Sequence, residues 1–123
     1  MSLDQVANSY KHADNLYVKG MDTPHGRVKI IFEQLEINIE KIISKHPKTD
    51  LIAFGKVMQC FMVLSGSLDF EKGESLAEQL NELYDYCART VKDYLTEKDV
   101  TRLEEVLTIV TELANSWKSI EPN

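Results

Sequence analysis

The sequence predicts an all-α protein, an antiparallel up-down-up-down four-helix bundle with a short N-terminal arm or cap helix. Three observations predict it. Apolar residues recur at steps of three and four in four separate stretches, the spacing that lines one face of a helix. Five glycines and three prolines in 123 residues are too few for a turn-rich β fold. The links between the stretches are short and polar, so consecutive helices fold back on one another. The expected organisation is one domain over residues 1–123, with a mobile arm over 1–21 and the bundle over 22–120.

Residues before Asp22 are polar, with a thin stripe of Leu3, Val6, Tyr10, Ala13 and Tyr17 interrupted by poor helix formers. This stretch reads as a mobile arm or a marginal short helix. Asp22-Thr23-Pro24 is a helix start: Asp or Thr caps free N–H groups, and Pro is tolerated in the first turn. The first long helix is expected from about Pro24 to about Lys45, with Val28, Ile31, Phe32, Leu35, Ile39, Ile42 and Ile43 as its stripe. Ile30 and Ile37 sit off that stripe. A helix apolar on two faces has two partners, or a core and a ligand.

His46-Pro47 ends this helix, because the residue before a proline disfavours the α region. Thr49-Asp50 caps a second helix, expected from Leu51 to Leu68. Its stripe is read as Leu51, Phe54, Met58, Phe61, Ser65 and Leu68, with Val57, Met62 and Leu64 widening the apolar surface. Gly55 and Gly66 would allow a backbone to approach closely. A break is expected at Asp69 to Gly73. The third helix follows from about Glu74 to Thr96, with Leu76, Leu80, Leu83, Tyr84, Cys87, Val91, Tyr94 and Leu95 on one face. Asp99 caps a fourth helix that runs to about Ser119 on a seven-residue repeat of Leu103, Val106, Val110, Leu113, Trp117 and Ile120.

A net charge of −6 argues against nucleic acid and against an anionic membrane surface. No apolar run reaches the roughly 18 residues of a membrane span, and the N-terminus has no secretory h-region. Cys60 and Cys87 lie in apolar helical patterns and read as reduced cytoplasmic thiols. His12, His25 and His46 are scattered, and no Glu-x-x-His signature or phosphate-binding glycine loop is present. The carboxylates Glu82 and Asp85, or Glu104 and Glu105, read as solvated helix faces. The sequence therefore predicts no catalytic residues, no metal and no cofactor. Tyr84, Tyr86 and Tyr94 crowd one helix, and such residues suit partly exposed grooves.

The stretch SLDFEKGESLAEQLNELYDYCARTVKDYL, from Ser67 to Leu95, closely resembles the centre of the flagellin-export chaperone family, FliS. Asp99 and Val100 followed by Leu103, Glu105, Val106, Leu113 and Trp117 are similar to its last helix. Tyr10 and Thr23-Pro24-His25-Gly26-Arg27 resemble its N-terminal signature. The family's Tyr-Asp/Glu-Gly-Ala step reads Phe32-Glu33-Gln34-Leu35 here, its LYDYM ends in Cys87, and Lys45 to Lys56 matches poorly. The resemblance implies a cytoplasmic chaperone that binds the disordered C-terminal segment of flagellin, blocks premature polymerisation and keeps it competent for type III secretion. It also implies contact with flagellar export components. A self-associating scaffold bundle is the alternative. Client contacts are expected at apolar residues surplus to a stripe or bordering it. These are Ile30, Ile37, Val57, Leu64, Leu80, Cys87 and Tyr94 by periodicity, and Tyr10, Leu68 and Tyr84 by resemblance.

Overall fold

The computed structural model of the chain describes residues 24–119. The arm over 1–21, with Tyr10, and the end of the repeat at Ile120 lie outside the described residues. Four helices follow one another: α1 (Pro24–Lys45), α2 (Leu51–Gly66), α3 (Phe70–Glu97) and α4 (Val100–Lys118). No strand occurs among the described residues. Each helix packs on its neighbours in chain order and α1 closes on α4, while the diagonal pairs α1/α3 and α2/α4 do not meet. The result is a four-membered helical bundle around one core.

Local chemistry sets the ends. Asp50 Oδ1 accepts from the Ala53 N–H at 3.0 Å, which caps α2. Asp99 Oδ1 accepts from the Thr101 N–H at 3.1 Å and so caps α4. Between α2 and α3 the break lies earlier than expected. α2 stops at Gly66, where the Ser67 hydroxyl donates to Val63 O at 2.7 Å. Asp69 Oδ1 accepts from the Glu71 N–H at 3.0 Å, and Asp69 O accepts from the Gly73 N–H at 2.7 Å. This carboxylate starts α3 at Phe70, and Gly73 is a buried residue inside the helix.

The core is built from the expected faces of α1, α3 and α4. Val28, Phe32, Leu35, Ile39 and Ile42 of α1 are buried, as are Leu103, Val106, Val110, Ala114 and Trp117 of α4. Phe32 and Trp117 join the two helices with ring centroids 6.5 Å apart. The face of α2 differs from the expected repeat. Its buried residues are Ala53, Val57, Phe61 and Leu64, whereas Phe54, Met58 and Ser65 flank them and Leu51 is 67% exposed. Val57 and Leu64, expected to widen the surface, are the core stripe itself. Gly55 and Gly66 approach no backbone: a Cβ on either would meet nothing within 4 Å.

Candidate functional site

The outward face of α2 is the unusual surface. Leu51, Ile52, Gly55, Lys56, Gln59, Met62 and Val63 share it, at steps of one and three. Ile52 is 75% exposed and Met62 72%, and Lys56 is the one charged residue in all of α2. An exposed apolar face of this kind marks an interaction site. A solvated helix face normally carries several charges to balance its core stripe.

A groove runs along each side of α2. Towards α1, a groove of about 300 Å³ is lined by Arg27, Ile31, Gln34, Asn38, Lys56, Gln59, Cys60 and Val63. Towards α3, one of about 400 Å³ is lined by Met58, Phe61, Met62, Ser65, Asn81, Glu82, Tyr84, Asp85 and Ala88. Phe61 and Tyr84, with ring centroids 6.4 Å apart, floor the second groove. Buried Asn38 lines the first, its Nδ2 held by Gln34 O at 2.7 Å.

Ile37 is 45% exposed and Ile30 half-buried. Neither is among the residues that line the first groove, where α1 contributes Arg27, Ile31, Gln34 and Asn38. Tyr84 is buried, yet it lines the second groove. Val57, Leu64, Leu68, Leu80, Cys87 and Tyr94 are core residues, at most 3% exposed. Their helical spacing carried the core, which is the commoner use of an apolar position. Ile52, Val63 and Phe70 were not singled out by spacing, although all three are exposed. The near absence of charge in α2 is the signal that points to the first two.

Tyr94 has a structural task at the end of the bundle. Its hydroxyl lies 2.5 Å from His46 Nδ1, joining α3 to the turn after α1. Lys98 Nζ stands 5.0 Å above the Tyr94 ring and also donates to Thr49 Oγ1. Lys98 itself has φ 56°, the left-handed conformation that ends a helix. Burial raises the Tyr94 hydroxyl pKa.

Nothing in these grooves is arranged for reaction. Cys60 and Cys87 are free thiols, and burial pushes Cys87 up to about 12 and Cys60 in the same direction, which keeps both protonated. Among the described residues no group of three or more His, Cys, Asp or Glu could hold a metal, and no helix is long and apolar enough to cross a membrane. The arrangement can bind an apolar segment along α2.

The comparisons with known proteins agree with a binding role. Residues 7–123 match the family described as Flagellar protein FliS. The flagellar secretion chaperone FliS of Salmonella typhimurium is 28% identical over 105 residues, 81% of this chain and 78% of that protein. The flagellar secretion chaperone FliS of Vibrio cholerae is 28% identical over 68 residues, 55% of this chain and half of that one. Flagellar secretion chaperone FliSB of Pseudomonas aeruginosa is 32% identical over 69 residues, 56% of this chain and 55% of that one.

Proposed function

From the premise that the chain belongs to the FliS family, and so is a chaperone in flagellar export and not an enzyme, we propose that its client is the C-terminal segment of flagellin. The observation that carries this is the outward face of α2, where Leu51, Ile52, Met62 and Val63 are exposed, Lys56 is the single charge, and two grooves flank it. A segment that packs inside a filament must be apolar, and as a monomer it lacks the partners that would order it. Laid on α2, it exchanges that exposed surface for a buried interface and folds as it binds. The gain in buried apolar area offsets the ordering cost, so no energy source is required. Premature polymerisation is blocked because the segment that would polymerise is covered.

The chain acts in the cytosol, as one domain that delivers its client to the flagellar export apparatus. Its helices run up, down, up and down, because links of two to five residues leave no room for a crossover. Residues 1–21 act as an arm that competes with the client for the apolar surface. Client contacts fall on Ile30, Ile37 and the groove-lining Tyr84, together with Ile52, Met62 and Val63. Tyr10 joins them from the arm. Light scattering of the purified protein, with and without a flagellin C-terminal peptide, tests this reading. A soluble complex of one chain with one peptide is expected. A concentration-dependent homo-oligomer indifferent to peptide would instead establish a self-associating scaffold.

A further inference from the structure

The two grooves beside α2 differ in charge. In the α1-side groove the charged lining residues are Arg27 and Lys56, and no acid lines it. In the α3-side groove they are Glu82 and Asp85, and no base lines it. Among the described residues Arg27, Lys56 and Glu82 form no ion pair. Asp85 pairs with Arg89 at 2.9 Å, but both side chains are about two-thirds exposed, so the pair is weak and screened. A basic groove on a chain of net charge −6 runs against the overall field.

We propose that the bound client has its charges sorted across α2, with acidic side chains on the flank facing α1 and basic side chains on the flank facing α3. This rests on the proposed binding of a flagellin C-terminal segment to the α2 face, and adds the chemistry that sets its orientation. The dimensions fit. A helix with its side chains is roughly 10–12 Å across, so the two grooves lie about one helix diameter apart. A client helix lying along α2 has the same width and reaches both grooves at once, one with each flank. Its apolar stripe meets Ile52, Met62 and Val63, where α2 offers Lys56 as its single charge. Turned end for end on the same stripe, the client would exchange its flanks and meet like charge on both sides. Like charges facing across an interface suppress the wrong arrangement, and complementary ones fix register.

Charge reversal tests this, with a synthetic flagellin C-terminal peptide as probe and titration calorimetry at low and physiological salt. Four full-length proteins are compared: wild type, Lys56→Glu, Glu82→Lys and the double variant. Both residues are exposed, so melting curves should coincide. Each single reversal is expected to weaken binding by about three- to tenfold, as rim charges do, and the double variant by about the product. Raising the salt should shrink the differences. Lys56→Gln and Glu82→Gln should show smaller losses in the same direction. Tighter binding by either reversal overturns the inference, because the client flanks would then share one sign. Equal affinity in all four overturns it too, while leaving the client role standing. Failure of the wild type to bind is read separately, and removes the client role itself.

Discussion

Truncating Ile52 and Met62 together should weaken client binding by about thirtyfold and leave the fold alone. Both side chains are about three-quarters exposed in the free protein. Complete burial of an aliphatic side chain of this size is worth roughly 1.5–3 kcal/mol. A client that covers the exposed part of each gains about 1–2 kcal/mol there, and Ala keeps only the Cβ share of it. The loss is about 1 kcal/mol per site, about 2 kcal/mol for the pair, and each 1.4 kcal/mol is tenfold in affinity. The fold should be indifferent, because neither side chain reaches the core and Ala is the best helix former. The assay is calorimetric titration of Ile52→Ala/Met62→Ala against a flagellin C-terminal peptide, beside thermal melts of both proteins. Unchanged affinity at unchanged stability would refute the assignment of the α2 face. A drop in melting temperature of many degrees would show that these side chains are core after all.

Four further outcomes are expected. Tyr84→Ala should destabilise the bundle by about 3–5 kcal/mol in chemical denaturation, as loss of a buried aromatic does; a near-native midpoint would show that the ring is not core. Gly55→Ala should raise stability by about 1 kcal/mol, since the new Cβ meets nothing in the fold, and a loss in denaturant midpoint would show a hidden contact. A thiol reagent should modify half-buried Cys60 in the folded protein and Cys87 only on unfolding; equal rates would contradict the burial of Cys87. Stability should also depend on pH through two carboxylates of opposite sign. The hydrogen bond from the Thr101 side chain, with backbone N–H groups, holds Asp99 below its ordinary range, so its contribution is present at neutral pH and lost as pH falls through that depressed value. Burial raises Glu36, whose Oε1 has no hydrogen-bond partner among the described residues. The fold therefore loses stability as pH rises from the ordinary carboxylate range through the raised value. Melting curves of Asp99→Asn and Glu36→Gln across pH 3 to 7 should each lose one of these trends, and superposition on wild type would exclude that carboxylate.

Helix boundaries were legible wherever the signal was local. Asp22-Thr23-Pro24 and His46-Pro47 bracket α1, and Asp99 opens α4, because capping and proline geometry act within a turn. The faces of α1 and α4 were legible because charged residues fill the opposite side and fix the phase. α2 resisted for the same reason in reverse. With Lys56 as its single charge, every rotation of the helix buries an apolar stripe, so a repeat through Leu51 and Met58 reads as well as the true one through Val57 and Leu64. The ambiguity coincides with the candidate site, since a surface made to hold an apolar client resembles a core in sequence. The α3 start was misplaced because Gly73 suggests a break, while the Asp69 carboxylate three residues after Gly66 makes the actual one. Which groove each flank of α2 meets was not readable at all, because it depends on the rotation of three helices together.

The sparse charge of α2 also bears on how the protein is made. Synthesis proceeds at roughly 5–20 residues per second and folds chains from the N-terminal end. During that interval α1 and α2 exist without α3 and α4, and α2 presents apolar side chains on every side. A nascent segment of this composition is a focus for association with its neighbours on the same message. The usual remedy is a gatekeeper charge within the segment. At Ile52 or Met62 such a charge would cost the fold little, but it would sit in the middle of the surface proposed to receive the client. The protein thus retains, through its own biogenesis, the same kind of hazard that an export chaperone relieves in its client. Its yield in the cell should fall with translation load before its folded stability is ever limiting.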